Sequence, residues 1–123
     1  AKEDSGVDIM MVNGGAPEGV IAAVALKCLN GEIQGRLKPR NESEIERARN
    51  MGIKNINKKL TMSDMVRNNE AMFAATGVTD GTILKGVGFL SDGAKTHSIV
   101  MRAKTKTIRF IEARHKFEHF PDY

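Results

Sequence analysis

The sequence predicts a single mixed α/β domain, and three observations carry that expectation. An apolar run of strand length, Val7 to Val12, passes through Asn13-Gly14-Gly15 into a nearly uncharged helical stretch, Pro17 to Leu29. Near the other end, THSIVMRA and TIRFIEA flank Lys104-Thr105-Lys106 as the arms of a hairpin would. The chain has 123 residues, with no repeat, low-complexity tract or linker to divide them, so they fit one core.

The elements follow in order. Glycine tolerates positive φ and close backbone approach, so Asn13-Gly14-Gly15 is a turn able to bring amides near a ligand. Pro17 suits the first helical position, where its missing N–H is no loss. After Glu18 this helix carries only Lys27 as a charge, which predicts cover on most of its sides. Asn30-Gly31 stops it, and Glu32 to Lys38 alternates as a second strand, giving strand, helix, strand at the start. Asn41 caps a surface helix, with Glu44 three residues on and Ile45 and Ala48 as a thin apolar stripe. Thr61 and Asp64 repeat that box before a short turn ending near Val66. Ala71 to Val78 reads as a buried strand stopped by Thr79-Asp80-Gly81, and ILKGVGFL as a weaker strand interrupted by glycines. HKFEHFPDY carries too little pattern for an assignment.

Composition narrows the class. The longest apolar run, within residues 19–26, falls far short of the roughly 20 residues of a spanning helix. No basic segment followed by an apolar stretch opens the chain, so neither membrane nor export is expected. The chain opens at AKEDSG without a Met, which fits a processed product or a fragment of something longer. Cys28 is the sole cysteine and lies in the apolar helix, the pattern of a buried thiol in a reducing, cytoplasmic compartment. The net charge is +4. Residues 1–95 hold 13 Lys/Arg and 12 Asp/Glu, whereas residues 96–123 hold 6 and 3, so the excess gathers at the C-terminal end.

Chemistry centres on Glu18. A carboxylate at the entrance of an apolar helix is comfortable beside unpaired helical N–H groups with no ligand at all. It is equally placed to share a divalent cation, while the preceding glycine amides meet a phosphate oxygen. One carboxylate does not make a site, and no second ligand stands at motif spacing. Asp80 and Asp92 precede glycines and are explained by turn chemistry. His97, His115 and His119 have no metal-ligand spacing with Cys28, so no zinc site is expected. Arg102, Lys104, Lys106 and Arg109 suit either a solvated hairpin or a free-standing anion-binding or regulatory module without catalysis. Few aromatic residues interleave with them, so no nucleic acid is expected as a partner.

The segments GGAPEGVIAAVALKCLNGEIQGRL, LTMSDMVRNNEAMFAATGVTDGTILKGV and DGAKTHSIVMRAKTKTIRFIEARH closely resemble the C-terminal portion of the class II (GlpX-type) fructose-1,6-bisphosphatases of bacteria. The resemblance covers nearly the whole chain. It implies a layered α/β sandwich of the sugar-phosphatase type, like the inositol monophosphatases and lithium-sensitive phosphatases. Residues 1–123 would form its single C-terminal domain, and the N-terminal catalytic part would lie elsewhere. The implied activity is metal-dependent removal of the 1-phosphate of fructose 1,6-bisphosphate in gluconeogenesis, with Mn²⁺ or Mg²⁺ as cofactor. Some photosynthetic members also accept sedoheptulose 1,7-bisphosphate. By resemblance Glu18 is a metal ligand and Gly15, with Gly14 beside it, contacts the sugar phosphate. The implied partners are the N-terminal portion of the same enzyme and further copies in a homo-oligomer. Alone, the chain is expected to be an inactive half-site.

Overall fold

A hairpin of two ten-residue strands organises the chain. The computed structural model describes residues 6–117. Its elements run α1 (Ala16–Cys28), β1 (Gln34–Gly35), α2 (Glu42–Asn50), β2 (Leu60–Thr61), α3 (Met62–Met65), β3 (Met72–Thr76), β4 (Gly88–Leu90), β5 (Gly93–Arg102) and β6 (Thr107–Lys116). Strands β5 and β6 pair antiparallel along their full length, from Gly93 opposite Lys116 to Arg102 opposite Thr107. The turn between them closes with Lys106 in the left-handed region at φ 55°. The other edge of β5 is shared: β3 pairs with Ser98–Arg102 and β4 with Gly93–Lys95, both antiparallel.

Helices and strands are therefore mixed as expected, but every strand pair described is antiparallel. The strand–helix–strand opening is not formed. Val7 to Val12 belongs to no strand, and its apolar side chains stand in solvent, from 61% exposed at Val7 to 92% at Met11. Among the described residues no strand pairs with it, although the outer edges of β3 and β6 carry no partner. The second expected strand shrinks to β1, which pairs with β2 in a separate two-stranded sheet. The weak strand expected over residues 83–90 survives only as β4.

Period-two alternation builds the core. Ile99 and Met101 of β5, together with Ala103, are buried on one sheet face, next to Phe73 and Ala75 of β3. Against them α1 seats Ala25, Cys28 and the adjoining Leu29. A second cluster joins Ala23 of α1 to Met62 and Val66, with Val24, Leu26, Ile33 and Met65 around it. The C-terminal half of α1 is thus wedged between two clusters, and its end is tied twice. Lys106 Nζ donates to the Lys27 carbonyl at 2.6 Å, and Lys27 Nζ donates to the Val66 carbonyl at 2.6 Å. Asn30, at φ 58°, ends the helix as expected, with Gly31 N–H bonded to the Leu26 carbonyl. The first half differs. Val20 is 44% and Ile21 57% exposed, so cover on most sides is not achieved there. The packing neighbours of α1 engage it only from Ala23 onward.

The surface helix α2 forms as the sequence implies, with no buried residue. Asn41 Oδ1 accepts the Glu44 N–H at 3.0 Å. The return leg goes to Arg40 rather than to Asn41: the Glu44 carboxylate accepts from the Arg40 backbone N–H and guanidinium, all within 3.1 Å. At α3, Thr61 donates through both its backbone N–H and its hydroxyl to Asp64 Oδ2.

Candidate functional site at the entrance of α1

Gly15 is the N-cap of α1, in extended conformation at φ −66° and ψ 154°, so Glu18 is the third helical residue and Pro17 the second. The Glu18 side chain folds back over Gly15. A Cβ built there would lie 2.1 Å from Glu18 Oε2, so the carboxylate occupies space that only glycine leaves open. Gly14 has no such neighbour. Glu18 forms no hydrogen bond or ion pair among the described residues. It is therefore not held as a reciprocal cap. What remains is an exposed carboxylate against a positive helix end whose first amides are unpaired.

A cation tests this arrangement. Mg²⁺ and Mn²⁺ prefer several oxygen ligands, and Glu18 can give one or two. Among the described residues no group of three or more His, Cys, Asp or Glu side chains is arranged to hold a metal. Glu18 thus fits as one hard-oxygen ligand, and the described residues do not complete a centre around it.

The other candidates are accounted for locally. Asp80 Oδ1 accepts the Gly86 N–H at 2.8 Å, and Asp92 pairs with Arg114 at 3.1 Å, so both turn acids act structurally. His115 Nε2 bonds the Thr96 hydroxyl at 2.9 Å, and His119 lies outside the described residues. Cys28 is 2% exposed, and burial pushes its thiol up, which keeps it protonated and inert at neutral pH. The hairpin cations are largely engaged. Arg102 and Lys104 both reach Glu70, at 3.3 and 2.6 Å, and Lys106 caps α1. Glu70 is held below the usual carboxylate range by the Lys104 and Arg102 hydrogen bonds. Among the described residues Arg109 is the one member of that set whose side chain makes no hydrogen bond or ion pair.

One feature escaped sequence reasoning. A cavity of about 570 Å³ opens where the segment 78–88 crosses β5 and β6, lined among others by Thr79, Lys85, Lys95, His97 and Glu112. The signal available was the pair Gly77 and Gly86 bracketing Thr79-Asp80-Gly81. A Cβ on Gly77 would meet the Lys85 carbonyl at 2.1 Å, and one on Gly86 would meet Thr79 and Asp80 backbone within 2.9 Å.

Residues 1–115 match the family of the bacterial fructose-1,6-bisphosphatase, glpX-encoded, and the chain belongs to that family. It is 41% identical over 125 aligned positions to a fructose-1,6-bisphosphatase class 2 of Haemophilus influenzae, covering 91% of this chain and 37% of that protein. It is 38% identical to a D-fructose 1,6-bisphosphatase class 2/sedoheptulose 1,7-bisphosphatase 2 of Acaryochloris marina, covering 93% and 37%. A third relative, a D-fructose 1,6-bisphosphatase class 2/sedoheptulose 1,7-bisphosphatase of Synechococcus sp., is 35% identical, with 90% and 35% covered. The chain thus spans little more than a third of the length of these relatives. No described helix is long and apolar enough to cross a membrane.

Proposed function

We propose that this chain forms one wall of the active site of a class II fructose-1,6-bisphosphatase, which hydrolyses fructose 1,6-bisphosphate to fructose 6-phosphate and phosphate. The observation that carries this reading is the Glu18 carboxylate. It is seated over Gly15 at the entrance of α1 and bonded to nothing among the described residues, in a chain whose family is that of the bisphosphatases. A carboxylate placed there without a structural partner is available to a cation, and glycine amides at a helix start are available to a phosphate oxygen.

In this reading Glu18 contributes one ligand to Mn²⁺ or Mg²⁺, and residues outside the described set contribute the others. The cation, when bound, supplies charge neutralisation and activation of water. The chain's own part is to hold Glu18 in place and to present the Gly15 and Gly14 backbone to the sugar phosphate. The missing Cβ of Gly15 makes room for the Glu18 carboxylate. The remaining ligands and the water-positioning group lie in the N-terminal portion of the enzyme, which we place against residues 7–22. The complete enzyme would be a cytoplasmic homo-oligomer. Two of the relatives are also named as sedoheptulose 1,7-bisphosphatases, so that substrate belongs in the same assay.

The test is Glu18→Gln in the full-length protein, which keeps shape and removes charge. At limiting Mn²⁺ the kcat/KM should fall by at least about 100-fold, with partial recovery at high metal. Near-normal kcat/KM at limiting metal would contradict the ligand role.

A further inference from the structure

We propose that the cavity between the 78–88 loop and strands β5 and β6 binds the phosphate group of a small phosphorylated metabolite. The first argument is a histidine fixed on two sides with its remaining donor unused. His97 Nδ1 accepts the Lys85 backbone N–H at 3.0 Å, and Phe110 stacks on the ring with centroids 5.7 Å apart and planes 25° apart. A neutral imidazole that accepts at Nδ1 carries its proton on Nε2. Among the described residues nothing accepts from that Nε2–H, and His97 lines the cavity.

The cations of the cavity differ from those of the hairpin tip in their pairing. At the hairpin tip Arg102 and Lys104 both pair with the single carboxylate of Glu70, and Arg114 pairs with Asp92. At the cavity, Lys85 and Lys95 make no ion pair with any described residue. Two carboxylates also stand there. Asp80 accepts the Gly86 N–H, and Glu112, directly opposite His97 in the β5–β6 register, has no side-chain partner among the described residues. Two ammonium groups, an imidazole N–H and the free Thr79 hydroxyl are the donor set of a phosphate site. A lone carboxylate across from them suits the hydroxyl groups of a sugar or polyol attached to that phosphate.

The third argument is rigidity. Gly77 N–H bonds the His97 carbonyl, Val87 N–H the Val78 carbonyl and Gly81 N–H the Leu84 carbonyl, all within 3.1 Å. The Gly77 and Gly86 backbones approach so closely that no side chain fits. The backbone that carries Thr79, Lys85 and His97 is thus fixed before binding, and the rotamer entropy left to lose is that of the two lysine side chains.

The experiment uses the full-length protein labelled with ¹⁵N-lysine, the Lys85 and Lys95 amide resonances being assigned by Lys→Arg exchanges. Inorganic phosphate and glycerol 1-phosphate are titrated separately. Both resonances should shift saturably with one midpoint in the millimolar range or below. In Lys95→Met, followed at Lys85, the midpoint should weaken by at least about fivefold. Lys85→Met, followed at Lys95, should do the same, and Lys38→Met should leave it unchanged. A tighter midpoint for glycerol 1-phosphate identifies a phosphorylated polyol as the source; equal midpoints identify free phosphate. No saturable shift up to about 20 mM, or unchanged midpoints in both cavity variants, would overturn the proposal. Glu18→Gln should bind as the parent does, so the outcome is independent of the role assigned to the α1 entrance.

Discussion

The two halves of α1 stand in opposite surroundings, though both are apolar. From Ala23 onward the helix is wedged between the Ile99–Met101–Ala103 face and the Met62–Val66 cluster, and its last turn is tied by Lys27 and Lys106. Before Ala23 it shows Val20 and Ile21 to solvent, and the preceding Val7, Ile9, Met10, Met11 and Val12 are more exposed still. Each such side chain would gain about 1.5–3 kcal/mol on full burial. Against a typical domain stability of about 5–15 kcal/mol, that is too much apolar surface to be incidental. The sheet is not free of such surface either, since Phe89, Phe110 and Ile111 are exposed, so the difference that teaches something lies within α1: its second half has packing neighbours and its first half has none among the described residues.

The comparison can be broken most easily at the core. Met101 is 3% exposed at the centre of the sheet face, so Met101→Ala should cost about 2–5 kcal/mol in urea unfolding. Met11→Ala, made where the side chain meets only water, should stay within about 0.5 kcal/mol. Equal losses at the two sites would mean that residues 7–12 are packed and the contrast is wrong. The glycines give a smaller effect of the same kind. Gly77→Ala forces a Cβ onto the Lys85 carbonyl and should lower stability by about 1–3 kcal/mol, whereas Gly14→Ala enters open space and should be nearly silent in a thermal melt.

Two local predictions sharpen the picture away from α1. Removing the α2 cap by Asn41→Ala should cost about 1 kcal/mol, seen as lost helical signal and a lower unfolding midpoint. Asp64 is held at about 2, first by its hydrogen bond from Lys58 and then by those from Thr61. A carboxyl depressed in the folded state stabilises it above the ordinary Asp range near 3.8 and loses that contribution as pH falls toward 2. A ¹³C carboxyl titration should therefore show Asp64 moving upward in Lys58→Met. No movement would remove Lys58 as the cause.

What the sequence made legible depended on how far each element's partners lie along the chain. The β5–β6 hairpin was readable because its two strands are four residues apart and their register runs unbroken over ten pairs. The bounds of α1 were readable from Pro17 and Asn30-Gly31, but its cover was not, since that depends on β3, β5 and α3 reaching only its second half. Val7 to Val12 has the composition of a strand but pairs with no described strand, which composition cannot reveal. Residues 83–87 read as strand, yet the Lys85 and Gly86 amides turn to His97 and Asp80 and fold the segment into a loop. Glu18 stood out because it breaks an apolar run. The cavity did not, because it gathers Thr79, Lys85, Lys95, His97 and Glu112 from three stretches of chain and rests on a ring nitrogen bonded across the fold.

The central claim is that the Glu18 end of α1 is one wall of a phosphatase site completed by the N-terminal portion of the enzyme. Its most direct test is to assay the purified 123-residue chain with fructose 1,6-bisphosphate and Mn²⁺, then to add the separately purified N-terminal portion. The account predicts no turnover by the chain alone and metal-dependent release of phosphate on mixing, abolished when the added chain carries Glu18→Gln. Robust metal-dependent turnover by the isolated chain would contradict it.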